Sequence, residues 1–344
     1  MSHAPTMKAV GLFQYLDISN PESLIDVELE RPQPSGRDLL VRVHAVSVNP
    51  VDVKVRSPKS KTEQQPRVLG WDVAGVVEAA GPDCNLFQPG DEVYYAGSIE
   101  RPGGNSEYHL VDERIVGRKP STLNFAEAAA LPLTTLTAWE ALFDRMGISR
   151  SPEDNSGKHL LVIGAAGGVG SIAIQLAKHA GLTVIGTASR EESADWAKGL
   201  GADHIITHYE SFLPQLKALG IPHADFILCL NSTDQHWENM AEAVAPQGQI
   251  CSIVETEGPL NLNLLMGKSA AFNWELMFTR ARYQTPDMIK QHELLNETAE
   301  LVDRGILRTT LTRRLAPINA ATLREAHALV ESGRTIGKVV LEGF

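Results

Sequence analysis

Along the first ~130 residues, apolar and polar positions alternate in pieces of strand length, as in "DLLVRVHAVSVN", "WDVAGVVEAAG" and "DEVYYAG". Pro and Gly pairs punctuate them, among them Gly81-Pro82 and Pro89-Gly90, so this region predicts a turn-rich β domain, a partly closed barrel. From about Leu131 the period changes. "NFAEAAALPLTTLTAWEALF" has helical spacing with an interruption at Pro132. Apolar runs then alternate with helical segments. "HLLVIGAA" precedes "GVGSIAIQLAKHA", "TVIGTAS" precedes "REESADWAKGLG" and "DHIIT" precedes "ESFLPQLKAL". "ADFILCL" precedes "DQHWENMAEAV", and "GQICSIV" follows. This alternation predicts a doubly wound parallel sheet, because parallel neighbours need a crossover helix. "AAFNWELMFTR" (Ala270 to Arg280) reads as an apolar edge strand open to pairing. From about Thr310 a helix and an apolar strand, "TIGKVVLEGF", return and are expected to fold back onto the first domain.

A length of 344 residues suits two domains better than one core. With 43% hydrophobic and 21% charged residues the composition is that of a soluble globular protein. No apolar run approaches the ~20 residues that cross a bilayer. The opening "MSHAPTMKAV" has no basic segment followed by an apolar core, so it reads as a short mobile lead-in, and the chain is expected in the cytoplasm. A net charge of −11 argues against a nucleic-acid or anionic-membrane surface, which needs a basic stripe. A phosphorylated ligand must then find positive potential locally. Cys84, Cys229 and Cys251 are far apart and form no CxxC pair, which argues against a disulfide framework and a thiolate zinc site and favours three reduced, mostly buried thiols.

The strongest motif is "LLVIGAAGGVGSIAIQLAK". A strand ends at Ile163, glycines fall at Gly164, Gly167, Gly168 and Gly170, and a helix opens at once. In register the pattern is Ala165-x-Gly167-x-x-Gly170, with alanine at the first glycine of GxGxxG. A tight turn, a bare backbone and a helix N-terminus together suit a pyrophosphate. The bland alternative is a glycine-rich turn that only packs helix on strand. At the end of the next strand stand Thr187, Ala188, Ser189 and Arg190, with no acid to bind a ribose 2′-hydroxyl. Ser189 also reads as the start of a capping box with Glu192, whereas Arg190 has no such local explanation and suits a 2′-phosphate. NADPH is therefore the expected cofactor.

Four segments, "AVSVNPVDVKVR", "VLGWDVAGVVEAAG", "PLTTLTAWEALF" and "VIGAAGGVGSIAIQLAK", carry a resemblance over essentially the whole chain. It resembles the medium-chain dehydrogenase/reductase superfamily, and within it the zinc-free quinone/enone reductase branch, close to proteins labelled zinc-type alcohol dehydrogenase-like. The resemblance implies an α/β fold, a Rossmann doubly wound parallel sheet plus a GroES-like β-barrel domain. Residues 1–132 and 307–344 would form the GroES-like catalytic domain and 133–306 the Rossmann NADPH-binding domain, with the active site in the cleft between them. Zinc-dependent members place a Cys ligand after the early strand and a His-Glu pair after a glycine. Here "SVNPVD" has no Cys, and Gly70-Trp71-Asp72 puts Trp where His would stand. Trp cannot coordinate zinc, and Asp72 alone cannot make a site that needs three protein ligands. "AGSIERPGGNSEYHL" also lacks the cysteines of a structural-zinc loop, so no metal is expected.

Without a metal, the expected reaction is hydride delivery from NADPH to a quinone or an α,β-unsaturated carbonyl, whose oxygen needs only hydrogen-bond donors. By resemblance Asn49 lies beside nicotinamide and substrate, Asp52 orients its neighbours, and Lys54, where many relatives have Tyr, is a candidate proton donor. Each has a plainer reading: Asn49-Pro50 as a turn, Asp52 as a cap, Lys54 as a solvated side chain. The same resemblance gives cofactor contacts to Thr137, to Ala166, Gly167, Gly168, Val169 and Gly170, and to Ser189, Arg190 and Tyr209. It also gives them to Asn231, Ser252, Val254 and Lys338. Trp71 is expected to pack beside the cleft and Asp72 to hydrogen-bond near the nicotinamide. Pocket shape is assigned to loops 57–65 and 255–271. A homodimer is expected through the edge strand 270–280. The competing readings are a zinc alcohol dehydrogenase, which metal content would reveal, and a non-catalytic NADPH-binding protein, which absence of turnover would reveal.

Overall fold

The computed structural model describes residues 5–344; of the expected lead-in "MSHAPTMKAV", residues 1–4 lie outside the described residues, and Thr6–Val10 are not a lead-in but the start of a strand with Met7, Ala9 and Val10 buried. Two compact units form, one from the chain up to Leu133 together with Phe278–Phe344, the other from Thr134–Met277. The strands, in chain order, begin with β1 (Thr6–Tyr15), β2 (Ile25–Glu30), β3 (Asp38–Val48) and β4 (Lys59–Val68). Next come β5 (Val73–Ala80), β6 (Glu92–Tyr95), β7 (Tyr108–Asp112) and β8 (Gly117–Arg118). The second unit supplies β9 (His159–Ile163), β10 (Thr183–Thr187), β11 (His204–Ile206), β12 (Ala224–Cys229), β13 (Val244–Ser252) and β14 (Ala271–Trp274). The returning segment adds β15 (Leu311–Leu315) and β16 (Lys338–Glu342).

In the first unit β1 lies between β2 and β4, and a seven-stranded sheet runs β15-β16-β3-β5-β6-β8, with β7 also paired to β3. β3 is long enough to serve three neighbours. Register shifts against β5 at Leu40/Val41 and Val43/Ala45 bend it, as bulges do in a sheet that curls toward closure. The tail joins as expected: β16 runs antiparallel to β3 with Val339 opposite Val48, which brings Lys338 to the end of β3 where Asn49 begins a helix. Two expectations change here. The segment assigned to a loop at 57–65 is largely strand β4, because Gln14 and Tyr15 of β1 continue the pairing onto Thr62 and Lys59. The return to the first unit comes at Phe278 and not at 307. The helix Lys290–Asp303 packs against β8, and its backbone is bonded there. Tyr94 Oη donates to Leu295 O at 2.6 Å, and His292 Nδ1 meets Val116 O at 2.7 Å.

In the second unit the six strands run parallel in the order β11-β10-β9-β12-β13-β14, that is 3-2-1-4-5-6 counted along the unit. β9 is buried on both faces from Leu160 to Ile163, which is why it reads as an unbroken apolar run. Leu161, Ile163, Ile185, Phe212, Ile227 and Met240 form the centre of the core under the sheet. Pro132 starts a helix, Pro132–Trp139, that continues as a π-helix over Glu140–Arg145. The expected edge strand over 270–280 is realised only as Ala271–Trp274; Thr279–Tyr283 is helical. β14 ends the sheet order, and Trp274 and Leu276 beside it remain 48% exposed. Among the described residues no helix is long and apolar enough to cross a membrane.

Candidate active site

In the first unit the site grows from the end of β3. Asn49 is the N-cap of the helix Pro50–Arg56, with Pro at the first helical position, where a missing N–H costs nothing. The Asp52 carboxylate accepts from Asn49 N at 2.8 Å and from Gly70 N at 3.0 Å, tying the helix start to the turn before β5. Gly70 has φ +109°, and a Cβ there would stand 2.5 Å from Asn105 Oδ1, so only glycine fits. Trp71 is 1% exposed; its indole Nε1 donates to Ser98 O at 3.1 Å and its ring meets Phe278 edge-on at 6.1 Å.

Asp72 is the hub. It is fully buried and accepts from Asn49 Nδ2 at 2.8 Å, Lys338 Nζ at 2.9 Å and Leu133 N at 2.7 Å. Lys338 also donates to Asn49 Oδ1, and Asn49 Nδ2 lies 3.3 Å from Trp71 O. Two carboxyls and one ammonium thus share a dry corner. Burial raises Asp72 from the usual carboxylate range, opposed first by Lys338. Burial likewise pushes Asp52 up to about 7, against the Asn49 N–H and the Lys338 charge. The ion pair is therefore Lys338 with Asp72, and Asp52 holds a proton part of the time near neutral pH. Lys54, two residues further along the helix, is exposed.

Zinc does not fit this corner. The Asp72 carboxylate already carries the Lys338 ammonium, and Trp71 offers a donor that is spent on a carbonyl. Among the described residues no group of three His, Cys, Asp or Glu could hold a metal ion.

In the second unit the glycine loop follows β9. Gly164 has φ +87° and its N–H donates to Thr187 Oγ1 at 3.1 Å. A Cβ on Gly170 would lie 2.5 Å from Gly164 O, so this glycine is set by helix-on-turn packing. On Gly167 it would meet nothing closer than Gly164 O at 3.5 Å, so the bare backbone there faces open space. Gly167 caps the helix Gly168–His179 with no side-chain bond, leaving the first-turn N–H groups for an anion. Ala165 replaces the usual first glycine because its neighbour is Gly186, whose own Cβ would stand 2.8 Å from that of Ala165. Ala166, Gly167, Gly168, Val169 and Gly170 form a bare loop whose chemistry fits a dinucleotide pyrophosphate, and exposed Asn231 stands beside Gly164.

The other expected contacts divide. Ser189, exposed, and Arg190 follow β10, and Tyr209, 75% exposed, follows β11. The expected capping box at Ser189 is absent, because the helix starts one residue later with Arg190 as N-cap and no side-chain cap bond. Ser252 is fully buried and shares a 2.6 Å hydrogen bond with Thr233 Oγ1, which also donates to Val254 O at 2.6 Å. This pair ties strand to helix beneath the loop. Thr137 is buried in the helix Pro132–Trp139. Lys338, expected at the cofactor, has its ammonium bonded inside the Asn49–Asp72 corner.

A unit with a parallel 3-2-1-4-5-6 sheet and an uncapped glycine loop, and a second, curled β unit that the chain's own tail completes, together define a nucleotide-dependent oxidoreductase of the two-domain kind. A family model described as zinc-binding dehydrogenase matches residues 200–341, and one described as alcohol dehydrogenase GroES-like domain matches residues 35–124. A zinc-type alcohol dehydrogenase-like protein of Staphylococcus aureus (strain Mu50) is 44% identical over 97% of this chain and 99% of its own. A Rhizobium etli CFN 42 protein, whose crystal structure carries the provisional label zinc-dependent alcohol dehydrogenase, superposes with a TM-score of 0.95 at 52% identity over 99% of both chains. The quinone oxidoreductase of Pseudomonas syringae pv. Tomato DC3000 gives a TM-score of 0.82 at 28% identity, covering 98% of this chain and 99% of that one. The chain belongs to the medium-chain dehydrogenase/reductase superfamily, whose oxidoreductases use nicotinamide cofactors.

Proposed function

We propose that this chain is an NADPH-dependent reductase that delivers hydride to a quinone or to the β-carbon of an α,β-unsaturated carbonyl, without zinc. The observation that carries the reading is the Lys338 ammonium seated on Asp72 and Asn49 beside Trp71, a fixed protein cation and an indole in place of a ligand set. The likeness to a quinone oxidoreductase supports the substrate class. Bound NADPH supplies the hydride from its nicotinamide C4. The glycine loop and the first-turn N–H groups of Gly168–His179 would hold its pyrophosphate, and Arg190 with Ser189 its 2′-phosphate.

Burial of Asn49 and Asp52 supports a positioning role for both: they lock the start of the helix Pro50–Arg56 and with it the placement of exposed Lys54. Lys54 is the proposed proton donor to the enolate, with water as the alternative source. The exposed face of β14 supports a homodimer. NADPH and NADH oxidation across 1,4-quinones, alkenals and cyclic enones tests the reading. Turnover with NADPH in excess of NADH supports it, and tight NADPH binding without turnover on any acceptor would favour a non-catalytic binding protein instead.

A further inference from the structure

β10 and β11 end in register. Thr187 pairs with Ile206, and Ala188 N donates to Ile206 O at 3.1 Å, so Ser189-Arg190 and His208-Tyr209 leave the sheet side by side. The His208 ring lies 4.5 Å from the Tyr209 ring and 6.3 Å from the ring of His236 on the helix Thr233–Ala243. His208 is partly exposed, and its ring nitrogens make no hydrogen bond among the described residues. His236 is 2% exposed and packs on Phe212 at 5.6 Å. The flanking elements carry Arg190 ahead of the helix Glu191–Gly199, with Glu191, Glu192, Asp195 and Lys198 on it, Glu210 beyond Tyr209, Lys217 on the helix Phe212–Ala218, and Asp234, Glu238 and Glu242 on the helix of His236.

Resting on the NADPH reading above, we infer that His208 is a specificity-determining residue that takes up a proton when a 2′-phosphorylated nucleotide binds. An unspent imidazole just past the end of β11, next to the strand end that leads into Ser189-Arg190, is a group that a phosphate dianion bound there would charge. In the free protein burial lowers the basicity of His208, and burial followed by His208 itself lowers that of His236, so the pair resists charging until an anion arrives. The sign follows: a group whose proton affinity rises on binding couples binding to proton uptake, so preference for NADPH over NADH grows as pH falls.

Titration calorimetry of the chain with NADPH and NADH, each in two buffers of different ionisation enthalpy, reads the uptake directly. At about pH 7 the expected result is uptake of roughly half a proton with NADPH and about none with NADH. The NADPH:NADH affinity ratio should rise about fivefold from about pH 8 to about pH 6, measured relative to the same ratio in His208→Gln, which cancels the phosphate's own titration. His208→Lys should give a high ratio without that relative slope, and unchanged NADH affinity certifies the fold of both variants. Equal uptake and slope in wild type and His208→Gln overturn the role of His208. A preference for NADPH without proton uptake also overturns it but leaves the Arg190 reading standing. No preference for NADPH at any pH overturns the cofactor reading and this inference with it.

Discussion

At the scale of single residues the decisive feature is a buried cation with two carboxyls and an amide. Lys338 and Asp72 stabilise one another only as a pair, because either charge alone would be left without water. Lys338→Met is therefore expected to lower stability by about 3–5 kcal/mol in urea denaturation, and adding Asp72→Asn should restore part of the loss. Asp52 gives a pH signature. Its folded-state value of about 7 lies above the unfolded one near 4, so the folded chain binds the extra proton, and stability from this group falls as pH rises from ~4 to ~7. Urea midpoints measured across that range should slope less in Asp52→Asn than in wild type; an unchanged slope would show that Asp52 takes up no extra proton on folding. Asn49, Asp52 and the Trp71-Asp72 corner were legible in the sequence as candidates, and the structure brings them together. The Lys338–Asp72 pair was not, since 266 positions separate its members and no local spacing signals it. The return of the tail to the first unit was legible in the apolar strand "TIGKVVLEGF", but the register that sets Lys338 against the end of β3 was not.

At the scale of elements, the glycine loop separates packing from binding. Gly170→Ala forces a Cβ to 2.5 Å from Gly164 O, so the loop or helix must shift, with an expected cost of about 1–3 kcal/mol in thermal or urea unfolding. Gly167→Ala has room within the protein and should leave unfolding nearly unchanged while weakening NADPH binding by roughly tenfold, read by fluorescence titration. Equal stability losses in the two variants would contradict this division. Strands and helices of the second unit were legible because apolar runs and 3.6-residue spacing repeat with little interruption. Element ends were less so. Ser189 has the residue types of a capping box, yet the helix begins after Arg190, and the polar run "KSKTEQQPRV" pairs as β4 although its composition reads as a loop. Backbone pairing with β1, not side-chain pattern, decides that strand.

At the scale of the whole molecule, the return of the chain at Phe278 shows what composition cannot. The helix Lys290–Asp303 is amphipathic like those of the second unit, but its backbone and side-chain partners Tyr94, Val116 and Arg118 belong to the first. Assembly is tested by light scattering. A homodimer of about twice 37.4 kDa is expected, and Trp274→Lys on the free face of β14 should shift it toward 37.4 kDa. The central claim, a zinc-independent NADPH reductase, is met most directly by one measurement. NADPH and NADH oxidation are followed across quinones, alkenals and cyclic enones with protein purified without chelator, its zinc content determined, before and after chelation. Turnover with NADPH well above NADH, unchanged by chelator, is expected at less than ~0.1 zinc per chain. About one zinc per chain with activity lost on chelation, or equal rates with both cofactors, would contradict it.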